Sequence, residues 1–159
     1  MHPRINITAS EIPVVKLLQD TQAAIEASGL EYSLLELVKM RASQINGCAY
    51  CLDMHSKDAR AAGETEQRLY LLDAWRETSL YSERERAALA WTEAVTLVAD
   101  GHVPDEAYDE VSNNFTEQEL VALTLAIATV NSWNRLNIAF RMEAGGYRPG
   151  MFKQFLKSA

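Results

Sequence analysis

The chain has only two cysteines, and they stand close together as Cys48-Ala49-Tyr50-Cys51, with His55 four residues further on and Glu36 upstream. A thiol attacks only as its thiolate, and a free cysteine has a pKa of about 8.5 that falls near a helix N-terminus or a protonated histidine. If the segment from Gly47 onward is helical, steps of about 100° bring Cys48, Cys51 and His55 within an arc of roughly 60°. Asn46-Gly47 is a turn dipeptide, which places Cys48 in the first helical turn, where unpaired backbone N–H groups favour negative charge. His55 lies one turn beyond Cys51, a spacing at which an imidazole accepts the thiol proton and then holds the thiolate as an ion pair. The chemistry that these residue types offer is thiol redox chemistry.

Helices must position this stripe, and the pattern predicts them throughout. A first helix begins near Pro13, a residue favoured in a first turn, and runs to Ser28-Gly29 with Val14, Leu17, Leu18, Thr21 and Ile25 inward. A second opens at Ser33, where Ser33-Leu-Leu-Glu36 reads as a capping box, with Leu34, Leu37, Val38, Ala42 and Ile45 on its core face. Glu36 falls on another side with Met40 and Ser43, where a carboxylate can face a pocket; the plainer readings are a capping-box glutamate or a surface partner of Lys39. The cysteine helix stops at Gly63, and a fourth covers about Glu66 to Arg76 with Leu69, Leu72 and Trp75 inward.

Ser82-Glu-Arg-Glu85 caps a helix that ends at Gly101, with Ala87, Trp91, Ala94, Val95 and Val98 as its stripe. A short acidic helix follows Pro104 and stops at Asn113-Asn114. Thr116-Glu-Gln-Glu119 caps the last long helix, to about Met142. From Leu120 to Val130 it is apolar almost all round, the mark of a buried central strut. Its second half carries Asn131, Asn134 and Asn137, which read as a pocket lining, an interface or an ordinary polar face. No alternation typical of strands, no phosphate-binding glycine loop and no internal repeat interrupts this pattern. The expectation is an all-α fold, one helical domain of about six to eight helices over residues 1–159, with its core motif at 33–63 and a tail at 145–159 apolar enough to dock somewhere, another subunit being one place.

Composition narrows the partners. A net charge of -7 argues against a surface built for nucleic acid or anionic lipid. The N-terminal stretch lacks the basic start and apolar run of a signal peptide, and no uncharged apolar stretch reaches the roughly 20 residues of a membrane helix. A cytoplasmic protein is the expectation, and in that reducing compartment a lone CxxC is redox-active or metal-binding more often than a structural staple.

Glu36, the run Ser43-Gln-Ile-Asn46-Gly47-Cys48-Ala-Tyr50-Cys51-Leu-Asp-Met-His55 and the run Asn131-Ser-Trp133-Asn134-Arg135 together resemble the alkylhydroperoxidase D core of the carboxymuconolactone decarboxylase-like superfamily. The resemblance is strongest from about Ser33 to Gly63. It implies an all-helical AhpD-like domain that assembles as a homo-oligomer, a trimer or hexamer. It also implies a cysteine-based peroxidase acting on alkyl hydroperoxides or hydrogen peroxide, with Cys51 as peroxidatic thiol, Cys48 as resolving thiol, and Glu36 and His55 in a proton relay. The resulting disulfide is reopened by an external dithiol donor, a lipoyl-bearing protein in the better-known members; no bound cofactor or metal is implied. Those peroxidases carry a histidine between the cysteines where this chain has Tyr50.

Other readings of the same residues are a thiol-disulfide oxidoreductase or redox sensor with little peroxide turnover, a zinc site made of Cys48, Cys51, His55 and Glu36, and a helical assembly module with inert cysteines.

Overall fold

A computed structural model describes residues 2–7 and 12–152. Its helices are α1 (Pro13–Glu26), α2 (Tyr32–Asn46), α3 (Ala49–Ala61), α4 (Glu66–Leu71), α5 (Glu83–Thr96), α6 (Val98–Gly101), α7 (Asp105–Ser112) and α8 (Glu117–Ala139), with a 3-10 turn over Leu72–Glu77 after α4. No strand occurs among the described residues.

Helix α2 is the strut of the bundle. Every residue from Leu34 to Met40 is buried, because α2 packs against α3, α5 and α8. On one side Leu34, Leu35 and Val38 meet Ala87, Ala88 and Trp91 of α5 and Leu123 and Ile127 of α8. On the other, Leu37 and Met40 meet Ala59, Leu69, Leu72, Trp75 and Leu89. Burying a side chain of this size contributes roughly 1.5–3 kcal/mol, so two cores on opposite faces of one helix fix its position firmly.

That central place was expected for α8, and the structure corrects it. Helix α8 buries Leu120, Leu123, Ala126, Ile127 and Val130 but leaves Val121 and Leu125 exposed, and it ends at Ala139 rather than Met142. Helix α1 is rotated relative to its expected face. Val14 and Leu17 are exposed, while Val15, Ala23 and Ile25 are buried. The reason is that α1 turns its polar residues Gln19, Gln22 and Glu26 toward a cavity.

The capping boxes at Ser82–Glu85 and Thr116–Glu119 form, each with both reciprocal hydrogen bonds. The one expected at Ser33 does not. The helix starts at Tyr32 with Glu31 as N-cap and no side-chain cap, since Glu36 is drawn into buried ion pairs instead. Helix α5 stops at Thr96, so Val98 lies on the separate turn α6 and is exposed. The segment expected as one helix from Glu66 to Arg76 breaks into α4 and the 3-10 turn, with a kink at Ala74; Leu69, Leu72 and Trp75 still point inward.

The ends fold back onto the bundle. Arg4 donates from its backbone N–H to the Phe140 carbonyl at 2.8 Å, and Ile7 is buried. Residues 145–152 lie along α3: Gly145 N–H donates to Asp53 Oδ2 at 2.9 Å, Lys57 Nζ donates to the Tyr147 carbonyl at 3.0 Å, and the Tyr147 hydroxyl donates to Asp58 Oδ2 at 2.7 Å. The first part of the expected tail therefore docks on its own chain, and its remainder, 153–159, lies outside the described residues. No helix among the described residues is long and apolar enough to cross a membrane.

Candidate functional site

A single left-handed residue sets the geometry of the cysteine pair. Gly47, at φ 67°, ends α2, a conformation that glycine adopts without strain from a β-carbon. Cys48 N–H then returns to the Ser43 carbonyl at 3.0 Å. The chain reverses and Cys48 becomes the N-cap of α3, with Leu52 N–H closing the first turn on the Cys48 carbonyl at 3.0 Å. Because α2 and α3 run back along each other, Glu36 on one reaches His55 on the other.

The expected stripe is present and faces inward. Cys48 and Cys51 are free thiols, each only 1% exposed, and His55 is buried. Hydrogen bonding with Cys51, opposed by burial and aided by the backbone N–H groups of Cys51 and Tyr50 and by Asn134, lowers the Cys48 pKa. The same pairing, together with burial and charge on Cys48, raises that of Cys51. Of the two thiols Cys48, at the helix N-terminus, is therefore the more easily ionised, as the helix-start argument favours.

Glu36 lies at the heart of a buried charge cluster. Its Oε1 accepts from Lys39 Nζ at 2.9 Å and its Oε2 faces His55 Nδ1 at 2.9 Å. Burial pushes the carboxyl up, but the charges and hydrogen bonds of His55 and Lys39 outweigh it and hold the pKa at about 2. An ionised carboxylate only accepts, so Nδ1 carries the hydrogen and Nε2 is the nitrogen left to exchange a proton. Lys39 was the foreseen partner of Glu36, but as a surface pair; both side chains are nearly inaccessible, at 4% and 3%.

Helix α8 supplies residues that the sequence did not single out for the site. Asn137 Nδ2 donates to Cys51 Sγ at 3.3 Å. Asn134 donates to Ser43 Oγ at 3.1 Å and accepts from Asn46 Nδ2 at 2.9 Å, while Asn46 also donates to Asn131 Oδ1 at 2.9 Å. The three asparagines thus follow the α2–α3 turn and fasten it to α8. Their spacing was legible; the signal that would have chosen the pocket reading is the match of three amides to a turn carrying Ser43, Asn46 and Cys51.

A cavity of about 440 Å³ opens beside this group. Glu36, Lys39, His55 and Asn137 form its polar end, and Tyr32, Tyr50, Met54, Val130, Trp133, Tyr147 and Phe152 form most of the rest. Tyr147 and Phe152 stack with ring centroids 5.6 Å apart. Cys51 sits directly behind the cavity wall, bonded to lining residue Asn137. Burial, then negative charge on the cysteine pair and on Asp53, pushes the Tyr50 hydroxyl up to about 12, so the residue between the cysteines holds its proton near neutrality. As for the zinc alternative, no group of three or more His, Cys, Asp or Glu side chains among the described residues is arranged to hold a metal ion.

Comparison with known proteins places this architecture. Residues 14–94 match the carboxymuconolactone decarboxylase family. The chain is 46% identical over 125 residues to the uncharacterised protein YdfG of Bacillus subtilis, an alignment that covers 79% of this chain and 85% of that one. It resembles a crystal structure of a protein of unknown function from Agrobacterium tumefaciens, ATU0492, proposed there as an antioxidant defence protein AhpD, with a TM-score of 0.87, 39% identity and coverage of 92% and 100% of the two chains. The debrominase Bmp8 shares the fold, with a TM-score of 0.67 at 23% identity over 84% of this chain and 69% of that one. The match over more than half of the chain and the close relatives agree: this all-helical chain belongs to the carboxymuconolactone decarboxylase family, as an AhpD-like domain.

Proposed function

We propose that the chain is a dithiol-dependent peroxidase that reduces organic hydroperoxides through Cys51 and Cys48. The observation that carries the reading is the pair of free, buried cysteines behind the wall of a largely apolar cavity that His55, Glu36 and Asn137 line, with Asn137 hydrogen-bonded to Cys51. A buried thiol pair excludes bulky protein partners, whereas a cavity of about 440 Å³ lies in the range of small-molecule sites.

In the proposed cycle Cys48, the more easily ionised thiol, starts as thiolate and Cys51 as thiol, and His55 serves as the acid through Nε2. Cys51 passes its proton to Cys48, and the Cys51 thiolate attacks the terminal peroxide oxygen. The O–O bond breaks, sulfur is oxidised to the sulfenic acid, and the alkoxide leaves with the Nε2 proton of His55 as an alcohol. Cys48 then attacks the Cys51 sulfur. The S–S bond forms, and hydroxide departs with the Cys48 proton as water. An external dithiol reduces the disulfide and becomes a disulfide itself; the Cys48 proton then returns to His55. Asn137 steadies the charge while it resides on Cys51.

A donor that reaches sulfurs buried to this degree must be small or carried on a slim arm, which suits a lipoyl-bearing protein. The exposed Val14, Leu17, Val121 and Leu125 suit a homo-oligomer, a trimer or hexamer.

The test is catalytic consumption of an aryl or alkyl hydroperoxide and of hydrogen peroxide by pre-reduced protein with a small dithiol. Turnover lost in Cys51→Ser supports the reading. Absent turnover, with a Cys48–Cys51 disulfide that exchanges readily, replaces it with a thiol-disulfide oxidoreductase or redox sensor.

A further inference from the structure

We propose that Lys39 is a positioning residue of this site: its ammonium, held on Glu36 Oε1, supplies the counter-charge that keeps Glu36 an acceptor while His55, held on Oε2, gains and loses a proton at Nε2. The inference rests on the peroxidase reading for its catalytic consequence, but not for its geometry.

Lysine is rarely buried unless paired, and a buried ammonium in a helical bundle ordinarily reports structural pairing. Here the placement is more particular. Lys39 lines the cavity together with Glu36 and His55. It sits 2.9 Å from Glu36 and 3.9 Å from Glu26 of α1, with the Tyr32 ring face 5.9 Å away. The short contact is to the carboxylate that orients the histidine, and the long one is to the partly exposed carboxylate at the cavity rim. The two oxygens of Glu36 are divided between two cations, one of fixed charge and one that changes charge during the proposed cycle.

That division has a chemical consequence. When His55 gives its Nε2 proton to the alkoxide, Glu36 loses one of its two counter-charges. With Lys39 present the carboxylate keeps the other, so the Nδ1 hydrogen stays on the ring and Nε2 stays open to take the next proton. Without Lys39 the same event strands a negative charge in a buried site, where burial favours the neutral acid. Glu36 then takes the Nδ1 hydrogen from the doubly protonated ring instead of letting the Nε2 proton go, which leaves a neutral imidazole with its one hydrogen on Nε2, too weak an acid to protonate the alkoxide. The groups that face this pair from the packed elements are Glu26 of α1, Tyr32 of α2, Asp58 of α3 and Tyr147 of the C-terminal segment. None of these four is basic, and among the described residues that line the cavity Lys39 is the one lysine or arginine, so no neighbour there substitutes for it.

The experiment compares wild type, Lys39→Gln and Lys39→Arg by 13C NMR titration of the Glu36 carboxyl and 15N NMR of the His55 ring, with kcat and KM for an aryl hydroperoxide measured in parallel. Glutamine keeps the length and a donor without the charge, so a folded variant is expected. In Lys39→Gln the proton affinity of Glu36 should rise at least tenfold, the Nε2–H to Nδ1–H tautomer ratio of His55 should rise by a similar factor, and kcat should fall about tenfold with KM changed less than twofold. Lys39→Arg should restore the wild-type tautomer. An unchanged carboxyl titration and tautomer in Lys39→Gln overturns the proposal, as does a changed tautomer with unchanged kcat. Both NMR readouts stand even if the wild-type protein turns over no peroxide, a result that would count against the peroxidase reading alone.

Discussion

Replacing Glu36 with glutamine should cost stability by an amount that depends on pH in a specific way. The carboxyl has a pKa of about 2 in the folded chain against an ordinary 4.5. At about 1.4 kcal/mol per pH unit, that depression corresponds to roughly 3 kcal/mol of stability when Glu36 is ionised. The side chain is only 3% exposed, so solvent screening takes little from this figure, and breaking one partner out of a buried ion pair costs about 3–5 kcal/mol in comparable cases. Because the folded pKa lies below the unfolded one, this stabilisation is fully present above about 4.5 and disappears as the pH falls toward 2. Urea denaturation of wild type and Glu36→Gln at pH 7 should therefore show a loss of about 3 kcal/mol, and the gap should narrow steadily between pH 4.5 and the lowest pH at which both fold. An equal loss at pH 7 and at pH 3.5, or no loss at pH 7, would refute the assignment of Glu36 as a buried anion paired with Lys39 and His55.

Asn137→Ala removes the side-chain donor to Cys51. Hydrogen bonds to charged groups contribute about 1.5–3 kcal/mol, so single-turnover oxidation by a hydroperoxide should slow by at least about tenfold, as followed by stopped-flow tryptophan fluorescence, while the melting temperature moves little. Tyr50→His places a group that titrates near neutrality where the tyrosine hydroxyl is held up to about 12. The rate of peroxide consumption at pH 7 should rise several-fold, and an unchanged rate would mean that the residue between the cysteines takes no part in proton movement.

Much of this molecule is legible in its sequence, and the exceptions share one cause. Helix boundaries are well marked at Ser82, Thr116 and Gly63, where the closing groups lie within a few residues and the two capping glutamates still reach their N-caps while pairing with an arginine. Ser33-Leu-Leu-Glu36 carries the same local signature, yet Glu36 is claimed by Lys39 and by His55 from the next helix, and the cap does not form. The same long-range pairing hides the strut: Glu36, Lys39 and Ser43 make α2 read as amphipathic, although each is buried with a partner. Helix α8 errs in the opposite direction. Its apolar run from Leu120 to Val130 looks fully enclosed, but within one chain only part of its circumference finds a neighbour. The cysteine stripe was legible from spacing alone. The roles of Asn134 and Asn137 were not, since nothing local says that α8 passes the α2–α3 turn.

The central claim is that Cys51 attacks although Cys48 is the more easily ionised of the two thiols. It is tested most directly by exposing reduced Cys48→Ser and Cys51→Ser proteins to one equivalent of an aryl hydroperoxide with dimedone present and locating the sulfenic adduct by mass spectrometry. The account predicts a stoichiometric adduct on Cys51 in the first variant and none on Cys48 in the second. A faster adduct on Cys48 in Cys51→Ser would contradict it and make the N-cap thiolate the nucleophile.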